Sequence, residues 1–290
     1  MATDVRADAP NMRETTYRTH LEEYSEKWRD MIAFRREDSI LEVRFHTDGG
    51  QFLWGPDVHK NLIPAFFDIA SDPDNECLIV TGTGDTFISE RDPESWGRAG
   101  YASSSSGTAP PRPYNETPPS RTYDHWYLTG TRGPVGILNM QVPIVTALNG
   151  PHHYHVELSL CADLVIASEN AYFQDLHTGA GMVPGDGAHI IWPKLLGPNR
   201  GRAYLLTGQR LSAQAALELG VVHEVVPREN LLDRAWELAR SVFMSQPRIA
   251  RRMTHALLMQ PWREAFAKEQ FNGVAHEAYA GSAGQTPPGV

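Results

Sequence analysis

Three apolar runs of strand length, PIVTALNG (143–150), ADLVIAS (162–168) and GVVHEVV (220–226), recur with helical or loop segments between them. That order of strand, helix and strand restricts the chain to an α/β architecture. Two earlier segments fit the same scheme. At 40–45, Leu41, Val43 and Phe45 alternate with Glu42 and Arg44, which predicts a half-buried strand ended by the turn at 47–50. Residues 57–70 read as a helix with Leu62, Phe66 and Ile69 on one side, and 77–81 as a buried strand running into Gly82-Thr83-Gly84.

Residues 1–35 are polar and charged, and form an N-terminal extension with a short helix in EEYSEKWRDM. The core is expected over 36–229, interrupted at about 97–121 by a stretch holding four consecutive serines and two proline pairs, which cannot sustain regular structure. Such a loop is either a disordered insert or an active-site cover; Tyr101, Tyr114, Tyr123, Trp126 and Tyr127 lie in and beside it. Residues 230–290 are a helical region and tail. Asn230 is read as a cap, Pro247 as opening a segment, and Pro261 as standing in the first turn of a final helix that reaches about Tyr279.

The 290 residues carry a net charge of −9, which opposes binding to nucleic acid and to anionic membrane surfaces. No run of eighteen apolar residues and no secretory leader is present in the sequence, and Cys77 and Cys161 each sit in an apolar stretch. A cytoplasmic, non-membrane protein with buried reduced thiols is the expectation. A G-x-S-x-G elbow and a P-loop are both missing, and Gly82-Thr83-Gly84 lacks the third glycine of a dinucleotide fingerprint.

The segments TGTGDTFISERD, PIVTALNG, CADLVIASENAYFQD, GMVPGDGAHIIWPKLLG and LLTGQRLSAQAALELGVVHEVV, in this order and spacing, resemble the crotonase (enoyl-CoA hydratase/isomerase) superfamily over residues 35–245. The resemblance implies a spiral of ββα units followed by C-terminal helices that assemble a homotrimer or a dimer of trimers. Leu238, Val242 and Phe266 are expected to give those helices their apolar contact faces.

Departures from the coenzyme A hydratases define the expected chemistry. Their glycine run after Asn-Gly reads here Asn149-Gly150-Pro151-His152-His153-Tyr154-His155-Val156-Glu157, and their F-x-A-G-x-D segment reads Phe87-Ile88-Ser89-Glu90-Arg91-Asp92. With both oxyanion glycines gone, a thioester is not the expected substrate. His177 in FQDLH, Asp186 in VPGDGAH, His155 and Glu277 match the pattern of the 6-oxocamphor hydrolase-like β-diketone hydrolases. That group cleaves a carbon–carbon bond between two carbonyls by a retro-Claisen reaction, without a cofactor.

The resemblance therefore implies a small-molecule diketone substrate, with His177 as base, Asp186 holding its other nitrogen, His155 as donor to an oxyanion, and Glu277 handling a proton. Trp54, Phe87, Ser89 and Glu157 are the expected substrate-binding residues; Glu157 also reads as a residual acid/base or a buried partner. Apart from the resemblance, PGDG makes turns without any catalysis and His177 reads as a surface side chain. A zinc site at His152, His153 and His155 is a weaker alternative, because adjacent loop residues need not converge. Another crotonase reaction, such as hydration, isomerisation, decarboxylation or lyase chemistry on a coenzyme A ester, is the competing function.

Overall fold

Residues 17–98 and 127–282 are described in the computed structural model of the chain. Among them the strands, in chain order, are β1 (Ile32–Glu37), β2 (Ile40–Phe45), β3 (Leu53–Trp54), β4 (Cys77–Gly82), β5 (Glu90–Arg91), β6 (Ile144–Leu148), β7 (Leu164–Ser168), β8 (Tyr172–Phe173), β9 (Leu211–Ser212) and β10 (Glu224–Val226). Six form a mixed sheet in the order β1-β2-β4-β6-β7-β10, with β1 antiparallel to β2 and all other neighbours parallel. The expected α/β class is what the chain adopts.

Parallel strands need cover on both faces, and β4 and β6 are buried along their whole length. Leu41, Val43, Phe45, Leu78, Val80 and Leu148 face the larger core with Phe66, Ile191 and Trp192. Ile40, Ile79, Val145, Ala147 and Ile166 face the other way, under Leu231, Ala235, Trp236 and Leu238 of the helix Leu231–Leu238. This second layer corrects the half-buried reading of β2. Glu42 lies on the face expected to be wet, yet it is buried and accepts hydrogen bonds from Trp236 Nε1 (2.9 Å) and Arg44 (2.6 Å). Strand β1 had no counterpart in the sequence reading, and the boundary drawn at 35/36 falls inside it.

The shorter strands make a second layer. β3 pairs with β5, β8 with β9, and single bridges Ile88–His152 and His152–Phe173 link the two pairs. Each long strand is thus followed by a short one and then by a helix: β2, β3 and Pro56–Ser71; β4, β5 and Pro93–Arg98; β6, the His152 bridge and Glu157–Leu160; β7, β8 and Ala188–Leu196. These are the expected ββα turns, and the residues that leave the short strands converge on one place.

The C-terminal helix differs from expectation. Arg248–Ser282 is one continuous helix with Pro261 in its interior, not two segments. Proline there removes one i→i−4 bond, but Arg251, His255 and Met259 before it, and Phe266, Gln270, Val274 and Glu277 after it, continue one buried stripe. Packing on both sides of Pro261 overrides the local break. Asn230 stands at the N-cap of Leu231–Leu238 but makes no side-chain capping bond.

Leu238 and Phe266 are not contact faces for another subunit; both are buried within the protomer. The large apolar side chains left exposed on the last helix include Ile249, Met253, Leu257 and Leu258. Cys77 and Cys161 are buried free thiols, as expected. No helix among the described residues is long and apolar enough to cross a membrane. Most of the Ser/Pro stretch at 97–121, with Tyr101, Tyr114, Tyr123 and Trp126 in and beside it, lies outside the described residues.

Candidate active site

The loop after β6 is held by Asn149. Its side chain accepts from the Gly82 N–H (3.1 Å) and donates to the carbonyls of Gly84 (2.9 Å) and Thr86 (2.8 Å). His152, fully buried, is fixed between the Tyr154 carbonyl (2.8 Å) and Ser159 Oγ (2.9 Å). The chain then turns through a left-handed His155 (φ 54°), which carries that imidazole inward. His155 Nδ1 lies 2.6 Å from Glu157 Oε1, at the start of the helix Glu157–Leu160.

His177 leaves the second layer just after β8. Its Nδ1 is 3.1 Å from both oxygens of Asp175, and its backbone N–H donates to Asp175 Oδ1 (3.1 Å). The loop folds back through a bond from the Met182 N–H to the His177 carbonyl, so the residues 177 and 186 do meet. The orientation differs from expectation. Asp175, not Asp186, holds the Nδ1 edge, because it is two residues away on the same turn. His177 Nε2 instead faces Asp186 Oδ2 (3.5 Å) and Glu277 Oε1 (3.6 Å). His155 Nε2 lies 3.6 Å from the same Asp186 oxygen. These are ion-pair separations, too long for hydrogen bonds.

Glu277 arrives from the last helix through a close backbone contact. A Cβ on Gly185 would stand 2.1 Å from the Gly273 carbonyl oxygen, so the PGDG turn can lie against the helix only without side chains there. Gln270, one turn before Gly273, donates to the carbonyls of Asp186 (2.6 Å) and Gly130 (2.8 Å) and fastens the turn. Glu277 is 2% exposed, and among the described residues its Oε2 has no hydrogen-bond partner.

Trp54 and His59 cover the other side of His155. Their rings lie 4.3 and 4.5 Å from its imidazole, and 5.2 Å from each other. Trp54, expected as a pocket wall, stands against His155. Phe87 is not at the cluster: its ring packs against Phe45 and His152, behind the loop. Ser89 is buried beside β5, with no hydrogen bond to its Oγ among the described residues. His59, Asp175 and Gln270 were missed in the sequence. His59 had a signal, since it stands one turn before Leu62 on the stripe of Leu62, Phe66 and Ile69.

Burial opposes every charge in this group, and the outcome depends on the neighbours. Desolvation lowers the proton affinity of His177, but Asp186, Asp175 and Glu277 outweigh it and raise the imidazole well above its ordinary range. His155 is likewise raised by Glu157 and Asp186 against its burial. For Asp186, burial raises and the imidazoles of His177 and His155 lower; the imidazoles prevail and the carboxyl is held far below the usual range. Burial raises Glu157 despite His155. Burial and the Asp186 charge push Glu277 up to about 7, against the pull of His177.

The centre therefore favours the protonated form of both imidazoles, holds Asp186 as a carboxylate and brings the Glu277 carboxyl up to about 7. That is the electrostatic form of a general acid/base site. One donor atom from each of His177, Asp186 and Glu277 lies within 4.8 Å of the others, a set able to hold a metal ion. The three-histidine alternative fails on direction. The His152 ring is locked in the core, His153 packs against Tyr172 at 5.5 Å, and only His155 faces the cluster.

Comparison with known proteins places this geometry in context. Residues 114–279 match the enoyl-CoA hydratase/isomerase family. A carnitinyl-CoA dehydratase from Salmonella enteritidis PT4 is 32% identical over 186 residues, which is 63% of this chain and 63% of the relative's length. A beta-diketone hydrolase from the cyanobacterium Anabaena sp. PCC 7120, solved bound to (S)-3-oxocyclohexyl acetic acid, is 37% identical, with a TM-score of 0.80 over 90% of this chain and 97% of that one. An enoyl-CoA hydratase/isomerase from Mycobacterium paratuberculosis shares the fold at 22% identity and a TM-score of 0.72, over 87% and 94% of the two chains.

Proposed function

The chain belongs to the enoyl-CoA hydratase/isomerase family, the crotonase superfamily, and we propose that within it the protein is a hydrolase of a non-thioester, cyclic 1,3-diketone, cleaving the carbon–carbon bond between the carbonyls. The observation that carries this reading is one Asp186 oxygen facing the Nε2 atoms of both His155 and His177, with Glu277 beside His177. Likeness to the Anabaena beta-diketone hydrolase over nine-tenths of the chain supports it. The molecule bound to that relative carries a ketone and a carboxyl group. Those are the two groups that hydrolytic opening of a bicyclic 1,3-diketone leaves.

In the reaction water adds to one carbonyl carbon, the bond from that carbon to the central carbon breaks, and its electron pair leaves as an enolate conjugated with the second carbonyl. The central carbon then takes a proton, so diketone and water give a keto acid. Because the enolate is a good leaving group, the protein has to supply a proton acceptor for water, donors for the two oxyanions and a proton for carbon.

Asp186, Asp175 and Glu277 favour the protonated form of His177, which assigns the vacancy for water's proton to Glu277, with His177 joining that carboxylate to Asp186. This changes the role expected for His177 from sole base to central member of a three-residue unit. His155, its Nδ1 held by Glu157, donates to a developing oxyanion. The proton collected on Glu277 is the one returned to carbon. Trp54 and His59 form an aromatic wall against a carbocycle, and exclude water from that side.

The direct test is turnover of a set of bicyclic and monocyclic 1,3-diketones in ¹⁸O-water. One labelled oxygen in the new carboxyl group is expected; turnover only of coenzyme A esters would overturn the reading. The carnitinyl-CoA dehydratase match is the observation favouring that second reading, addition or elimination on a coenzyme A ester. Saturable binding of coenzyme A distinguishes the two.

A further inference from the structure

The geometry around His177 points to a second occupant, and we propose that the site binds one zinc ion through His177 Nε2, Asp186 and Glu277, as a reversible inhibitor that takes the place of the attacking water. Zinc ligands at about 2.0–2.1 Å and tetrahedral angles stand roughly 3.3 Å from one another. His177 Nε2 is 3.5 Å from Asp186 Oδ2 and 3.6 Å from Glu277 Oε1, and one ligand atom from each of the three residues lies within 4.8 Å of the others.

Two independent features support a metal here. Histidines that ligate metal through one nitrogen characteristically donate the other N–H to a carboxylate, which fixes the tautomer. Asp175 does this at both of its oxygens, at 3.1 Å from Nδ1, and leaves Nε2 as the ligating atom. Glu277, almost fully buried, presents Oε2 without a hydrogen-bond partner among the described residues. A neutral imidazole with two carboxylates also balances the charge of a divalent ion in a buried site. Nitrogen with carboxylate oxygen suits zinc, whereas calcium and magnesium need more oxygen ligands than three. The His177 side chain keeps 17% of its surface exposed, which gives the ion a way in.

Only the inhibitory effect rests on the proposed hydrolysis; binding does not. The test combines equilibrium dialysis against zinc chloride, visible spectra with cobalt(II), and diketone turnover before and after a chelator. One equivalent of zinc per protomer, a strong four-coordinate cobalt spectrum, full turnover of chelator-treated enzyme and loss of turnover on adding zinc are expected. Glu277→Gln and His177→Gln should weaken binding roughly 100-fold or more, and Asp175→Asn, which keeps every ligand, by about 10- to 100-fold. His276→Gln, at an exposed residue whose Nδ1 is bonded to the Asn272 carbonyl, should bind as the parent does.

Absence of a cobalt spectrum, or equal zinc affinity in the parent, Glu277→Gln and Asp175→Asn, overturns the site. Higher turnover with zinc overturns the inhibitory role and makes the ion catalytic. If no diketone is cleaved, stoichiometric binding that is lost in Glu277→Gln still establishes the site, so the two readings fail separately.

Discussion

Asp175 grips His177 twice, accepting from its backbone N–H and lying 3.1 Å from its imidazole Nδ1 with both oxygens. The ring is thereby aimed at Asp186 and Glu277 before any substrate arrives. Asp175→Asn should lower kcat by roughly one to three orders of magnitude with KM little changed, because it removes the charge that orients the ring and supports its proton. Asp175→Glu should recover part of the loss. Equal losses in both variants, tracking a lower thermal midpoint, would assign Asp175 to folding alone.

His177→Ala should reduce turnover by about two to four orders of magnitude, and Asp186→Asn by less. The double variant should be little worse than His177→Ala, because members of one proton-handling unit are not additive. Steady-state kinetics on any diketone that the parent cleaves gives the answer. Multiplicative losses would separate the two residues.

Glu277 gives the pH dependence its sign. A proton on this carboxyl blocks acceptance of water's proton, so kcat/KM should rise with pH and level off above an apparent pKa of about 7. Glu277→Gln should abolish that limb while leaving the fold intact. A profile flat from pH 5 to about 8 in the parent enzyme would sink this assignment of the acceptor.

Glu76 predicts a different pH effect, on stability. Burial works to raise its pKa, but Arg252, Arg248 and Arg251 outweigh this and hold it at about 2. A depressed carboxyl stabilises the fold fully above its unfolded value of about 4.5 and loses that contribution as pH falls towards 2. Glu76→Gln should therefore lower the thermal midpoint at pH 7, and the gap from the parent should shrink between pH 4.5 and 2.

We propose a homotrimer or a dimer of trimers. Of the expected contact residues Val242 is exposed, and Ile249, Met253 and Leu257, at four-residue spacing on the last helix and 60–73% exposed, replace the buried Leu238 and Phe266. Leu257→Glu should shift sedimentation towards smaller species at micromolar concentration. A monomeric parent protein would count against the assembly.

The α/β class was legible because β4, β6 and β7 are buried on both faces and so read as unbroken apolar runs. Glu42 misled, since the helix that covers it lies almost 200 residues away in sequence, and alternation says nothing about what packs on the polar side. His155, His177, Asp186 and Glu277 were legible as residue types at matching positions. Their pairing was not, because Asp175 lies nearer to His177 Nδ1 than a residue across the turn. Gln270 stands on the stripe of Phe266 and Val274, so its burial had a signal, but its partners did not: the backbone carbonyls of Gly130 and Asp186 come from two distant turns.

Bringing Gly273 against Gly185 has an implication for the order of events during synthesis. His155, His177 and Asp186 are all translated before residue 190, but Glu277 follows only with the helix Arg248–Ser282. A nascent chain therefore has His155, His177 and Asp186 in hand before the helix Arg248–Ser282 exists, and the carboxyl that stands beside His177 joins them only once that helix seats against the PGDG turn.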